Sequence, residues 1–311
     1  EIRSDDPTLS EGLMWYNTAA NTLKVARIVG TWGSGGNFTA SDNGIAGAGT
    51  LTAGLCWGGI AGGSRSKRSV EYNGTAWTAG NDFSTELFYM NGFGLQTAAV
   101  SAGGDSVYGG GGDEQSTYEY DGTNWSSGNN IGVTYKSSQS FGILTAGVLA
   151  GGYVSGSIAV TTKEYDGTSW TAGGNLGTGG ASGGAAGTLA AGLVFGGYTS
   201  DEDDRTEEYD GSSWSSGGDM SSEHAYNCGF GTQTSAVVAS GQNASGTRLT
   251  TSELYNGSTW SSGPALTTAR DDFAGSQNGT RSSGGYVLGG NTASGVTNTT
   301  EEYTEALKDL N

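Results

Sequence analysis

The sequence predicts an all-β protein made of one repeated unit of four antiparallel strands, and three observations lead to this. One motif, Glu-Tyr-Asp-Gly-Thr-Ser-Trp at residues 164–170, has near copies at residues 71–77, 119–125, 208–214 and 254–260. Each copy places an Asn-Gly or Asp-Gly pair between strand-forming residues, which is the strongest short-range signal of a β-hairpin. The copies recur about every 46 residues, and a fixed period of this length indicates a closed array of small sheets.

Each unit is predicted to begin with a strand of small residues, followed after a short turn by a continuous apolar strand. The apolar strands are predicted at residues 53–57, 98–100, 146–150, 192–195, 236–239 and 286–288. Short apolar runs between turns are typical of strands buried on both faces. A glycine pair ends each of them at residues 58–59, 103–104, 151–152, 196–197 and 289–290, and Ser240-Gly241 is the one departure. A polar loop, the Tyr strand, the tight turn and the Trp strand complete the unit.

Composition excludes several functional classes. The chain has 59 glycines but only 2 prolines among 311 residues, and its aromatic residues recur at fixed positions, so a protein with many turns is predicted rather than a disordered one. The net charge of −18 makes nucleic acid an unsuitable partner, because phosphate binding needs a basic face. No segment approaches the ~18 apolar residues of a membrane span. Cys56 and Cys228 occupy non-equivalent positions of different repeats, so two free thiols are expected.

The order of glycine pair, tyrosine and tryptophan resembles the Kelch repeat over roughly residues 30 to 303. This resemblance implies a six-bladed Kelch-type β-propeller, with seven blades as the alternative if the hairpin at residues 13–26 belongs to another blade. The first repeat tryptophan, Trp32, precedes any repeat tyrosine, and the last tyrosine, Tyr303, has no tryptophan after it. We therefore expect the strand at Trp32 to complete the blade of Tyr303, which closes the ring and removes exposed sheet edges.

The predicted domain boundaries follow from this closure. Residues 1–29 form an N-terminal extension with a β-hairpin, residues 30–305 form the propeller with 30–40 completing its last blade, and residues 306–311 form a C-terminal tail.

The repeated aromatic residues are predicted to have a structural role, because a binding site would break the symmetry of the repeat. They are Tyr72, Trp77, Tyr120, Trp125, Tyr165, Trp170, Tyr209, Trp214, Tyr255, Trp260, Tyr303 and Trp32. The glutamates one residue before these tyrosines (Glu71, Glu119, Glu164, Glu208 and Glu302) are expected to bind backbone or hydroxyl groups between blades. A functional ring of carboxylates is the alternative.

No catalytic residue, metal site or cofactor is predicted. His224 is the only histidine, so a site with several histidine ligands is impossible, and no nucleophile motif lies near it. Galactose oxidase, a Kelch-propeller enzyme, uses a copper site with several histidine and tyrosine ligands, which this chain cannot supply. The Asp box of sialidases and a triad of inner-strand arginines are also missing. The acidic run at residues 201–204 lacks the pattern of an EF-hand, so a solvated loop is favoured over a calcium site.

A partner surface is predicted on the face formed by the loops after the glycine pairs, because these loops differ from repeat to repeat. Function is usually carried by variable loops on a rigid scaffold. The candidate binding residues are Arg65, Lys67, Arg68, Tyr108, Tyr153, Tyr198, Asp201, Asp203 and Asp204. The alternative is that these loops are unconstrained. The turns of the opposite face are short and nearly uniform in the sequence.

The opening Gly-Leu-Met-Trp-Tyr-Asn at residues 12–17, with Asn-Thr-Leu-Lys-Val at 21–25, resembles a hairpin of phage tail and fibre proteins. The near-identical repeats are similar to Kelch-like proteins of marine phages. These resemblances imply a non-enzymatic protein on a virion or extracellular surface, in contact with a protein of the same particle or a host surface glycan. An oligomer within an assembly is possible on this interpretation. The alternatives are a glycan-active propeller enzyme and an intracellular Kelch adaptor.

Overall fold

Six sheets account for most of the chain in the computed structural model, which describes residues 2–3, 8–107 and 112–310, and their strands are antiparallel except for the pairing of residues 2–3 with 16–17. Sheet I comprises Ala46–Thr50, Ala53–Trp57, Ser69–Tyr72 and Trp77–Ala79, and sheet II comprises Asn91–Leu95, Ala98–Ala102, Thr117–Tyr120 and Trp125–Ser127. Sheet III comprises Gln139–Ile143, Ala146–Ala150, Thr162–Tyr165 and Trp170–Ala172, and sheet IV comprises Gly184–Thr188, Ala191–Phe195, Thr206–Tyr209 and Trp214–Ser216. Sheet V comprises Cys228–Thr232, Ser235–Ala239, Ser252–Tyr255 and Trp260–Ser262.

Sheet VI is assembled from both ends of the chain. Its strands are Ala274–Gly275, Gly285–Leu288, Thr300–Leu310 and Thr22–Ser34, extended by Met14–Asn17 and Ile2–Arg3. The 3-10 helix Arg281–Ser283 lies between the first two of these strands. Shorter strands on the loops are Asp42–Asn43, Ile60–Ala61, Ser64–Arg65, Tyr135–Lys136, Tyr153–Val154, Ser157–Ile158, Asn291–Thr292 and Gly295–Val296.

The sheets form a ring, and this makes the protein a β-propeller. The first strand of each sheet contacts the first strand of the next, and Ala274–Gly275 of sheet VI contacts both sheet V and sheet I. Small residues are required here, because the six first strands converge around the axis. A Cβ on Gly47 of sheet I would lie 2.6 Å from the Gly275 carbonyl oxygen of sheet VI. The apolar second strands are buried between neighbouring sheets, as their sequence predicts.

The repeated motif forms the hairpin that its Asp-Gly pair predicts. In sheet III, Tyr165 pairs directly with Trp170, and their rings lie 4.7 Å apart. Asp166 Oδ1 accepts the N–H groups of Thr168 and Ser169 at 2.8 and 2.7 Å, which satisfies the turn, and Gly167 adopts φ 90°.

The ring is closed as the offset of the repeats predicts. Trp32 is the register partner of Tyr303, within a pairing that runs from Val25–Leu310 to Ser34–Glu301. The boundary predicted at residue 305 is wrong, because residues 306–310 form a strand that continues the third strand of sheet VI. The hairpin of residues 14–34 is likewise a part of sheet VI and not a separate extension. The strands Met14–Asn17, Thr22–Ser34 and Thr300–Leu310 form a ribbon. This ribbon extends beyond the ring of sheets on the face where the other sheets have their tight turns.

Neighbouring sheets are joined by hydrogen bonds of the signature residues. The tyrosine hydroxyl donates to the glutamate of the preceding sheet: Tyr120 to Glu71 (2.5 Å), Tyr255 to Glu208 (2.7 Å), Tyr165 to Glu119, Tyr209 to Glu164 and Tyr72 to Glu302. The tryptophan Nε1 donates to a hydroxyl of the preceding sheet: Trp77 to Thr300, Trp125 to Ser69, Trp170 to Thr117, Trp214 to Thr162 and Trp260 to Thr206, at 2.8 to 2.9 Å. The prediction that these glutamates bind hydroxyls between blades is confirmed.

The junction between sheets V and VI departs from this rule. Leu254 stands in sheet V where the other sheets have the glutamate, and it packs against an apolar cluster that contains Trp32 and Tyr303. Tyr303 donates instead to Glu305 of its own strand at 3.0 Å, and Trp32 Nε1 has no hydrogen-bond partner among the described residues. This junction is therefore held by apolar contact in place of the two polar bonds.

Cys56 and Cys228 are free and buried, as predicted. In the described part of the chain, no helix has the length and apolar character of a transmembrane segment.

Candidate functional site

Six backbone hydrogen bonds link the six sheets around one end of the central channel. Each bond runs from an N–H to the carbonyl of the equivalent residue in the preceding sheet. The donors and acceptors are Tyr89 to Gly44 (3.0 Å), Ser137 to Tyr89 (3.0 Å), Ser182 to Ser137 (2.8 Å), Tyr226 to Ser182 (2.7 Å), Asp272 to Tyr226 (3.3 Å) and Gly44 to Asp272 (2.9 Å). We call these six residues the mouth ring.

The mouth ring is conformationally unusual. All six residues have φ between 52 and 61°, the left-handed region, although five of them are not glycine. Such a conformation is costly for most residues and persists where surrounding structure fixes it, often at ligand sites. In the mouth ring, this conformation directs the carbonyl of each residue toward the N–H of the equivalent residue in the next sheet. The six hydrogen bonds hold the ring together, and the side chains of its residues surround the channel entrance.

The mouth ring leads into a narrow channel and a wider pocket beside it. The channel is a well of about 120 Å³, lined by small residues of the first strands and, near the mouth ring, by larger side chains that include Tyr89, Tyr226 and Asp272. The pocket measures about 520 Å³ and lies on the face of the variable loops. It is lined by Asn43, Ile60, Phe88, Tyr89, Asp105, Lys136, Ser137, Tyr153, Ser182 and Tyr226. Apolar surface with a few convergent polar groups is the usual composition of a small-ligand site.

At the opposite end of the channel, one side chain of sheet VI reaches across the axis. Asn278 Nδ2 of sheet VI donates to the carbonyls of Gly94 (2.5 Å) in sheet II and Gly142 (3.2 Å) in sheet III. Its N–H donates to Gly49 of sheet I at 3.1 Å. The predicted uniformity of the turns on this face is therefore wrong for sheet VI, where the connection between the first two strands is long and crosses the channel.

Asp272 and Tyr226 are the most perturbed titratable groups at the mouth ring. Burial and the nearby Asp271 raise the pKa of Asp272 to about 7, against the lowering effect of Arg248. Burial, Asp272 and Tyr153 raise the pKa of Tyr226 to about 12. Perturbed groups that converge on a cleft indicate a functional site, although structural networks also produce them.

One wall of the pocket is an ion-pair network. Lys136 Nζ donates to Asp113 at 2.5 Å and to Asp105 at 3.1 Å. Asp105 Oδ1 also accepts the N–H of Val107 at 2.8 Å, so this carboxylate is held on two sides. The network holds this wall of the pocket in place, and Lys136 is already paired with two carboxylates.

The structure separates the predicted binding residues into two groups. Tyr153 lines the pocket, and Tyr198 lies near Tyr153 and Tyr226, since it raises the pKa of both phenols. Tyr108 lies outside the described residues. That the tyrosines of the loop face bind a partner stays a prediction.

The charged candidates do not converge on the pocket in this way. Arg68 forms an ion pair with Asp42 and stacks on Phe38, with its guanidinium carbon 4.6 Å from the ring centre. Asp203 pairs with Arg205 at 2.8 Å. Arg65 is exposed and lies 3.8 Å from Glu86.

The remaining charged candidates are Lys67 and Asp201, which are exposed, and Asp204, whose pKa is raised by burial and by Asp219. In the described part of the chain, no three potential metal ligands among histidine, cysteine, aspartate and glutamate come together.

His224 occupies a closed structural position. It is fully buried, its Nδ1 lies 2.6 Å from the Ser240 carbonyl oxygen, and its Nε2 lies 3.2 Å from Ser222 Oγ and 3.6 Å from Glu253. The ring is thus surrounded by hydrogen-bonding partners and has no access to the pocket described above.

Sequence reasoning missed Tyr89, Tyr226, Asp272 and the Lys136 network. A signal was present, because the mouth ring residues recur with the same period as the tyrosine motif, just before each first strand. This position changes from glycine to tyrosine, serine and aspartate, so it carries no recognisable motif.

No family model matches the chain, and no curated protein sequence matches it either. A solved structure described as that of YjhT is similar to this protein in fold. It superposes with a TM-score of 0.72 at 12% sequence identity, covering 88% of this chain and 99% of that one. At this identity the similarity supports the fold alone, a β-propeller.

Proposed function

We propose that this protein is a non-enzymatic binding propeller of a virion or other extracellular surface, and that it holds a host surface glycan in the pocket beside the mouth ring. The observation that carries this proposal is the pocket of about 520 Å³ with Tyr89, Tyr153 and Tyr226 in its wall. Aromatic rings stack on the apolar faces of sugars, while polar groups such as Asn43 and Ser182 bind hydroxyls.

The ribbon of sheet VI is the proposed attachment to a neighbouring protein of the particle. It leaves the ring on the face opposite to the pocket, and Met14 and Leu23 on it are 55% and 57% exposed. The same ribbon contains the hairpin that resembles those of phage tail and fibre proteins. Attachment through this end presents the pocket outward.

The absence of catalysis is part of the proposal. His224 is the only histidine, and its ring nitrogens face Ser240, Ser222 and Glu253 inside the protein. We expect no turnover of galactosides with copper or zinc and no release of sialic acid from sialylated oligosaccharides. Turnover of either substrate by purified protein would establish the glycan-active enzyme instead.

The binding role is tested by the attachment of fluorescently labelled protein to host cells and to particles. Tyr153→Ala and Tyr226→Ala should reduce attachment to cells at least tenfold, because they remove the stacking surface. Asp121→Ala and Asp166→Ala, on the tight-turn face, are the controls. Loss of attachment in the controls alone would show that the opposite face binds. Mass spectrometry of purified virions should detect this chain.

A further inference from the structure

We propose that the pocket and mouth ring select sugars that are neutral or carry an amino group, and that they reject sugars bearing a carboxylate, sulfate or phosphate. This inference rests on the proposed glycan-binding function and specifies its ligand. It is carried by the distribution of charge and of hydrogen-bond acceptors around Asp272, together with the shape of the well.

The site has more carboxylates than cations. Among the described residues, five carboxyl groups lie at or near the mouth (Asp105, Asp113, Glu202, Asp271 and Asp272), against two cations, Lys136 and Arg248. Lys136 is shared by two carboxylates, and Arg248 pairs with Asp271 at 2.8 Å. Neither cation is left to receive an anionic ligand.

Asp272 is an acceptor in the wall of the well, at the mouth ring. Its only hydrogen bond from another side chain among the described residues is a long one of 3.3 Å from Asn291, and none of those residues forms an ion pair with it. The pKa of Asp272, raised to about 7 by burial and by Asp271, agrees with a carboxyl group that lacks adequate partners. A ligand hydroxyl, amide N–H or ammonium supplies the donor that this group needs, whereas an anion adds repulsion.

The other groups near Asp272 strengthen this selection. Tyr226 donates its backbone N–H to Ser182, and its phenol lies close to Asp272, Tyr153, Glu202 and Tyr198. A phenol hydroxyl can donate to or accept from a sugar hydroxyl, and its ring face attracts C–H groups and cations but not anions. Asn278 lies across the far end of the well, so the loop face is the side from which we expect a ligand to reach these groups.

The selection is tested with matched monosaccharides that differ at one group. Galactose, galactosamine and galacturonic acid form one set, and the corresponding glucose and mannose derivatives form two more. Binding is measured by saturation-transfer NMR titration of the full chain at pH 8. In at least one set, we expect the neutral or the amino sugar to bind at least tenfold more tightly than the acidic sugar.

Asp272→Asn should weaken the favoured sugar at least fivefold and reduce the preference over the acidic sugar below threefold. Asn tolerates the left-handed conformation of this position, so the fold should persist. Asp82→Asn, at an exposed carboxylate on the same face, is the matched control and should change neither quantity. Tyr226→Phe provides a second variant that keeps the ring and removes the hydroxyl.

Three results would overturn the inference: acidic sugars that bind as tightly as the neutral and amino sugars in every set, a preference that survives Asp272→Asn, or no binding in any set. The wild-type preference alone decides the question if a variant does not fold. Attachment to host cells without binding of these sugars would leave the binding role standing and reject the sugar site. Loss of both would reject the proposed function as well.

Discussion

Three glutamates at one position of the third strand show how single residues fix the long connections between sheets. Glu207, Glu253 and Glu301 are buried, and each accepts hydrogen bonds from the connection that precedes its sheet's first strand. Burial raises the pKa of Glu253, but His224 and the N–H of Ser221 outweigh this effect and hold it at about 2. These carboxylates position the connections whose next-to-last residues, Ser182, Tyr226 and Asp272, belong to the mouth ring.

Glu253 should make the protein sensitive to acid. Since its pKa is lowered from 4.5 to about 2 on folding, the folded state binds fewer protons than the unfolded state between these values. The stabilisation is therefore complete above about pH 4.5 and is lost as the pH falls toward 2. Glu253→Gln should lower the free energy of unfolding at pH 7 by about 1–3 kcal/mol, and much less at pH 2.5, as measured by urea denaturation. A variant with equal loss at both pH values would contradict this assignment.

Asp272 should show the opposite dependence. Its pKa is raised from 3.8 to about 7, so the folded state retains a proton that the unfolded state loses, and stability falls as the pH rises through this window. We expect NMR of the labelled aspartate carboxyl to show a titration near pH 7. Asp272→Asn should flatten the decrease of the melting temperature between pH 4 and pH 7. A carboxyl titration below pH 5 would exclude this environment.

At the scale of the strands, the sequence predicted the hairpins and their bonds but not the site that they support. The Tyr–Glu link followed from alternation along a strand, because the glutamate beside each tyrosine must face the other way. The mouth ring could not be predicted in this manner. Its left-handed conformation is imposed by hydrogen bonds between sheets, and those depend on the closed ring and not on local sequence.

The link between sheets can be measured by comparing two equivalent tyrosines. Tyr165→Phe leaves Glu119 without its donor and should cost about 1.5–3 kcal/mol in the free energy of unfolding, because the bond involves a charged acceptor. Tyr303→Phe removes a bond within one strand, to Glu305, which also pairs with Arg281 at 2.8 Å. This second change should cost less than half as much in guanidinium denaturation. Equal costs would show that the link between sheets adds nothing.

At the scale of the whole molecule, the closure could be predicted because the repeats are out of phase with the chain ends. Trp32 without a tyrosine and Tyr303 without a tryptophan complete each other, and the structure pairs them. The length of the joint strands could not be predicted. Residues 306–310 carry no repeat motif, and they form a strand because Val25 to Val29 offer a free edge beside them.

Removal of the closing strand should destabilise the whole ring. Deletion of residues 1–38 takes away the fourth strand of sheet VI and exposes the edge of residues 300–310. We expect a melting temperature lower by about 10 °C or more, or oligomers on size-exclusion chromatography, since ~1 kcal/mol corresponds to 2–4 °C for chains of this order. Deletion of residues 1–21 keeps the closing pairs and serves as the control. Unchanged melting after the longer deletion would refute closure by this strand.

Asn278 gives the closure a further consequence. It extends from the sheet that both chain ends build, and it reaches the carbonyls of sheets II and III on the far side of the axis. Asn278 therefore links sheets across the axis, and its position depends on the closed ring of six sheets. If the chain ends separate, we expect Asn278 to lose its hydrogen bonds to Gly94 and Gly142 at the far end of the well. Ligand binding at the mouth ring and the pairing of the chain ends in sheet VI should therefore stabilise each other. We expect a bound ligand to protect the termini from proteases.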